Sequence, residues 1–282
     1  MALSIHTNYS SLVTQTNLTK TNNALGTNQQ RLGTGLRINS AADDAAGLQI
    51  ATRLNAQSRG MDVAMRNTSD AVSLLQTAEG AFTEATDILQ RMKDLATQSA
   101  NGTNAAKDRE ALDAEFTELG KELQNIITNT KYAGEALFSG AGAKLAADIT
   151  FQIGSDAAET MTVAAADTGI ADTVTALNTD VPALGVDTAA GATAAITRLN
   201  TALDEIGVTR AAFGANINRL NHTANNLGNM KDNTDMAKGR IMDADFAKES
   251  ASMSKNSMLL QSGISMLKQA GQMPGMVMSL LG

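Results

Sequence analysis

The stretch Ala71-Val-Ser-Leu-Leu-Gln-Thr-Ala-Glu-Gly-Ala-Phe-Thr-Glu-Ala-Thr-Asp-Ile-Leu-Gln-Arg-Met-Lys-Asp-Leu-Ala96 decides the fold. Within it Ala71, Leu75, Ala78, Phe82, Ala85, Leu89, Met92 and Ala96 alternate steps of four and three without a miss. That is the period of an α-helix with one apolar stripe. No proline interrupts it from Ala41 to Ala100. After Asn101-Gly102, a turn pair, Leu112, Phe116, Leu119, Leu123 and Ile126 repeat the rule. Two such stripes joined by a short turn predict an antiparallel helical hairpin.

Upstream, Leu18, Leu25 and Leu32 fall at strict sevens on an otherwise Asn- and Thr-rich segment, a thin seam on a polar helix. Gly33-Thr-Gly35 ends that helix. Ser40 followed by Asp43 reads as a capping box, which predicts that the next helix starts near Ala41. Downstream the period changes to two: Ile149, Phe151 and Ile153, then Met161 and Val163, predict a β-hairpin. From Gly169 to Gly191 the chain is rich in Ala, Thr and Asp with no clear period, and an exposed connection is expected. Helical spacing resumes with Leu199, Leu203, Ile206, Phe213, Ile217, Leu220 and Leu227, broken by a polar gap at Arg210. A helix of ~50 residues is ~75 Å long, against a radius of gyration of about 19 Å for a compact chain of this size. The fold class expected is therefore mainly α. It comprises an elongated rod of long antiparallel coiled-coil-like helices with one small β-hairpin, plus a pair formed by the N- and C-terminal helices.

The segment from Met253 onward is apolar at helical spacing, with Leu260, Ile264, Leu267, Leu280 and Leu281 among its members. Lys255, Gln261, Lys268, Gln269 and Gln272 recur too often for a bilayer span, so no membrane insertion is expected. A stripe of this length is better explained by packing against another helix or another copy of the chain. Methionine suits such a surface because it adapts to varied neighbours.

Composition narrows the function. Aromatics make up 3% of the 282 residues, Trp and Cys are absent, and Pro occurs twice. Narrow helix seams, not a bulky aromatic core, follow. Without Cys there are no disulfides, thiolate metal sites or Cys nucleophiles, as suits a protein outside the cell. The net charge of -7 argues against a nucleic-acid partner. Residues 1 to 42 carry no acid, while Asp148 to Asp187 carries acids with scarcely a base, which predicts packed ends and a solvated middle. Ser4, Thr7, Asn8, Ser10 and Ser11 interrupt any apolar signal region, so export is expected to use another route. His6 and His222 lack ligand-spaced partners and read as surface or packing residues. Asp43 and Asp44 point about 100° apart on a helix and read as first-turn acids. No phosphate loop, dinucleotide fingerprint, nucleophile elbow or zinc signature occurs. No enzyme, metal or cofactor is expected.

Certain strings are more specific. Gln30-Arg-Leu-Gly-Thr-Gly-Leu-Arg-Ile-Asn-Ser-Ala-Ala-Asp-Asp-Ala-Ala-Gly-Leu-Gln-Ile-Ala51 resembles, nearly residue for residue, the signature of bacterial flagellins. Leu89-Gln-Arg-Met-Lys-Asp-Leu95, Gln98-Ser-Ala-Asn101, Gly239-Arg-Ile and Asp245-Phe-Ala match it too, in order and at the family's spacing. The chain departs from the frequent pattern at Gly33 and Ala42.

The resemblance implies a structural subunit of the flagellar filament, secreted through the flagellar type III apparatus and located outside the cell. The alternative within the family is a junction protein between hook and filament. It implies residues 1–40 as an inner helix paired with 240–282, 41–140 as the long hairpin and 141–191 as β-hairpin and exposed connection. Residues 192–239 are then the returning helix, and large outer domains are absent. It implies homopolymerisation, with the filament cap, hook–filament junction proteins, an export chaperone and a host Toll-like receptor as further partners. By the same resemblance Arg91, Leu95 and Glu115 are the receptor-read residues. Leu18, Leu25, Leu32, Leu260, Ile264, Leu267, Leu280 and Leu281 are expected to form the assembly seam.

Overall fold

The computed structural model describes residues 8–140 and 142–281, with side chains described as far as Gln272. His6 and the side chains of Leu280 and Leu281 lie outside the described residues. Element order is α1 (Tyr9–Thr34), α2 (Ala45–Ala100), α3 (Ala106–Asn129), β1 (Lys131–Tyr132), β2 (Glu135–Ala136), β3 (Ile149–Gln152), β4 (Thr160–Val163), α4 (Ala165–Thr168) and α5 (Ile170–Thr175). One π-helical turn (Ala176–Asp180) precedes α6 (Ala189–Met242) and α7 (Phe246–Leu281). The class is mainly α, and a small β-hairpin, β3 with β4, forms where the period of two predicts it.

The chain folds as two compact units. One spans Arg59–Lys231; the other combines the described residues up to Ser58 with those from Asp232.

In the Arg59–Lys231 unit, every member of the stripe from Ala71 to Ala96 is buried. Opposite it, α6 buries Ala192, Ala195, Leu199, Ala202, Ile206, Phe213 and Leu220, and α3 buries Phe116, Gly120, Leu123 and Ile127. The α3 stripe thus ends on Ile127, with Ile126 only half-buried. Phe82 sits at the centre, its ring 4.8 Å from Phe138 and 5.9 Å from Phe213 between centroids. The polar gap at Arg210 is where its guanidinium meets Glu79, 3.7 Å away on α2. In the predicted β-hairpin Ile149 pairs with Val163 and Phe151 with Met161, which turns Met161 and Val163 into the core. A second, tight hairpin joins β1 and β2 through Ala133 and Gly134, both at positive φ (52° and 86°), as a primed turn requires.

Two expectations are corrected. The segment read as an exposed connection is packed: Ile170, Thr173, Ala176, Leu177, Val181 and Val186 are all buried. Its backbone is tied down as well. Gln124 Nε2 donates to Asn178 O (2.7 Å), and the Val186 N–H donates to Asp113 Oδ1 (2.6 Å). Ser99 Oγ donates to Val186 O (2.5 Å). Arg198 of α6 bonds both Asp180 and Glu205. Burial opposes the Arg198 charge, but the two carboxylates outweigh it and its pKa is raised.

The second correction concerns the start of α2, which begins at Ala45, not near Ala41. Asp43 does reach back as a capping residue would, its Oδ2 accepting from the N–H of Asn39 (3.0 Å) and Ser40 (2.9 Å). Those two bonds hold its carboxyl below the ordinary aspartate value. They close a turn, however, and the helix waits for Asp44, whose Oδ1 accepts from the Gly47 N–H (2.9 Å).

Candidate assembly surface

The unit containing both ends is built on α1 against α7. Asn8 caps α1, its Oδ1 accepting from the Ser11 N–H (3.0 Å), and its Nδ2 donates across to Ala270 O (2.7 Å). Leu18 packs where α7 has Gly263; a Cβ there would stand 2.7 Å from Leu18 Cδ1, so the helices approach closely. Asn28 is the buried residue of α1. With its Nδ2 donating to Ala24 O (3.0 Å), its Oδ1 accepts the Met253 N–H (3.1 Å). Arg31 pairs with Glu249 at 3.2 Å.

Beyond Gly35, a left-handed residue that ends α1, the chain forms a short bridge with the break between α6 and α7. The Arg37 N–H donates to Met242 O (2.6 Å), the Ala244 N–H to Gly35 O (2.9 Å), and Arg37 Nη2 to Ile241 O (2.8 Å). Asp245 caps α7 by accepting from Ala247 and Lys248 N–H.

These contacts are largely polar and leave much apolar surface uncovered. Among the described residues of this unit only Ile38, Ala51 and Ala270 are buried apolar side chains. Leu18, Leu25, Leu32, Leu260 and Leu267 face the helix pair and are half-buried. Ile264, expected in the same seam, instead points outward, because it lies to one side of the line Leu260–Gly263–Leu267. Ten of the thirteen exposed large apolar side chains among the described residues belong to this unit: Tyr9, Leu12, Val13, Ile50, Met236, Phe246, Met258, Leu259, Ile264 and Met266. Monomeric soluble surfaces rarely expose contiguous apolar area of this kind without a partner.

Of the three residues the resemblance assigned to receptor recognition, two are on the surface. Arg91 Nη2 and Nε both donate to Glu115 Oε1 (2.6 and 3.0 Å), linking α2 to α3 across an exposed face. Leu95 is different: at 2% exposure it belongs to the core. That corrects the expectation that it is directly presented. Being four residues from Arg91 does not bring it to the surface, because the intervening turn rotates it into the α2 stripe beside Met92 and Ala96. His222 is exposed, as expected. Among the described residues no cluster of His, Asp or Glu is arranged to hold a metal, and no helix is long and apolar enough to cross a membrane.

One unit is of long helices with a packed apolar core, and the other pairs the chain's first and last long helices and leaves most of its large apolar residues exposed, which is the pattern of a structural chain. The comparisons name the family. The model of the bacterial flagellin N-terminal helical region matches residues 5–143, and that of the C-terminal helical region matches residues 194–281. Polar flagellin C of Vibrio parahaemolyticus is 34% identical over all of both chains, and flagellin A of Vibrio cholerae is likewise 34% identical. The first of these alignments runs over 387 positions against 282 residues here, so that relative carries about a hundred residues that this chain lacks. Bacillus cereus flagellin has a solved structure 40% identical, covering 57% of this chain and 88% of that one at a TM-score of 0.49. The chain belongs to the bacterial flagellins. It is a structural subunit of the extracellular flagellar filament, which drives motility. A Vibrio parahaemolyticus protein described as flagellar hook-associated shares the fold at 15% identity over 71% of this chain, with a TM-score of 0.57. The junction-protein alternative is not better supported.

Proposed function

We propose that the end unit is the polymerising part of the subunit and that the apolar side chains left bare on α1 and α7 are covered by neighbouring copies. One observation carries this reading: the exposed large apolar residues concentrate in the unit with almost no buried ones. Burying a Leu or Met contributes ~1.5–3 kcal/mol, so a few of them per neighbour can outweigh the entropy lost on association. The Leu seam between α1 and α7 then holds the pair together inside each subunit, while Met258, Leu259, Ile264 and Met266 work between subunits. Within the end unit, α1 and α7 form the inner pair, and the Arg59–Lys231 unit is the body. No catalytic role is included.

The experiment is deletion of residues 258–282. Electron microscopy and sedimentation should show no filaments from the truncated chain. Circular dichroism should show the helices of the Arg59–Lys231 unit retained. Filaments formed at the normal critical concentration would overturn the assignment.

We propose as further partners, by resemblance to the family, a filament cap, the junction proteins, an export chaperone and a vertebrate Toll-like receptor. For the receptor, the surface pair Arg91 and Glu115 supports a readout on the α2–α3 face. Leu95 shapes that face from below.

A further inference from the structure

The chain has fourteen methionines and no cysteine, so thioethers are its only readily oxidised sulfur. Their placement is uneven. In the Arg59–Lys231 unit Met61, Met92 and Met161 are buried at 1%, 0% and 4% exposure, Met65 is half-buried and Met230 is 38% exposed. In the end unit Met258 and Met266 are each 63% exposed, and Met236 on α6 is 55% exposed. Met266 lies seven residues from Leu259, within about 20° of it around the helix, and Met258 lies about 80° from Met266. Both side chains are exposed and lie off the line Leu260–Gly263–Leu267 that meets α1, on the solvent side of α7.

We infer that Met258 and Met266 are oxidation sites whose conversion to sulfoxide stops a free subunit from joining the filament. This rests on the assignment of that α7 face to contacts between copies. The oxidant is a peroxide. The thioether sulfur takes one peroxide oxygen as a new S=O bond, the O–O bond breaks, and hydrogen peroxide leaves as water. The product is polar and rigidly accepting where an apolar, adaptable group was needed. With no cysteine in the chain, reversal requires an external dithiol reductase, which removes the oxygen as water and becomes a disulfide. Once a neighbour covers the face, the same sulfurs are shielded, so the site acts on the free subunit and not on finished filament.

The test uses the purified full chain. Monomer is treated with hydrogen peroxide, sulfoxides are located by peptide mass spectrometry, and the critical concentration for filament growth is measured. Oxidation at Met258 and Met266 should raise it about tenfold or more, a tenfold change corresponding to ~1.4 kcal/mol. Monomer helicity should be unchanged, and incubation with methionine sulfoxide reductase and a dithiol should restore growth. The volume-conserving double variant M258L/M266L should grow normally and keep doing so after peroxide, whereas M236L should remain sensitive. Normal growth of wild type carrying both sulfoxides would overturn the inference. So would equal sensitivity of the double variant, or loss of monomer helicity on oxidation. Failure of the underlying assembly assignment reads out separately, as filaments formed by the untreated 258–282 deletion.

Discussion

Replacing residues 170–187 with a Gly/Ser linker of equal length is expected to destroy the cooperative folding of the Arg59–Lys231 unit. Read as an exposed connection, the segment would be dispensable, since loop-closure cost changes by only about 0.6 kcal/mol per doubling of length. Its burial decides otherwise. Ile170, Leu177, Val181 and Val186 are buried large apolar side chains, together worth about 6–12 kcal/mol as an upper bound. Whole domains are stable by only about 5–15 kcal/mol. The linker would also remove the Asp180 carboxylate that pairs with Arg198, and without the buried side chains nothing would hold the backbone groups of Asn178 and Val186 against Gln124, Asp113 and Ser99. Thermal melts followed by circular dichroism should lose their sharp transition or shift down by tens of degrees. An unchanged melting temperature would show that the packing contributes nothing.

Leu95→Ala is the second large effect. A buried leucine truncated to alanine loses its transfer free energy and leaves a cavity, and about 2–5 kcal/mol of stability should go with it. Denaturant titration should show the midpoint falling, with the slope unchanged. Any loss of receptor signalling by this variant would therefore be confounded with loss of fold. Arg91→Ala and Glu115→Ala separate the two. Their ion pair is exposed, and such pairs contribute about 0–1 kcal/mol, so these variants should keep the wild-type midpoint within that margin. A Leu95→Ala variant as stable as wild type would contradict the burial of this side chain.

The parts of the fold visible in the sequence are those in which burial and apolarity coincide. Ala71 to Ala96 is readable because each stripe residue is both apolar and buried, at a spacing only a helix satisfies. The packed middle is hidden for the opposite reason. Thr173 and Thr209 are buried hydroxyls that satisfy each other at 2.9 Å, and Thr209 also donates to Thr168 O (2.9 Å). A threonine at a core position reads as solvent-facing unless its partner, 36 residues away, is known. Across the π-helical turn Ala176–Asp180 only the single step of four from Leu177 to Val181 is left, too short to show a period.

The candidate surface was half legible. The sevens Leu18, Leu25 and Leu32 mark the face of α1 that meets α7. The α7 side of that contact is Gly263 and Ala270 as much as leucine, and Asn8 and Asn28 bond to its backbone. A seam made partly of small and polar residues misplaces its neighbours in a hydrophobicity count, so Ile264 reads as inward and lies outward. Leu95 shows the converse. A motif match carries residue identity but not exposure, which depends on the whole helix face.

Hydroxyl-radical footprinting of monomer and filament, read by mass spectrometry, tests the central claim most directly. Met258, Leu259, Ile264 and Met266 should label readily in the monomer and become strongly protected on polymerisation. Val63 and Val208, exposed on the Arg59–Lys231 unit, should change far less. Equal labelling of the α7 face in monomer and filament would contradict its use between subunits.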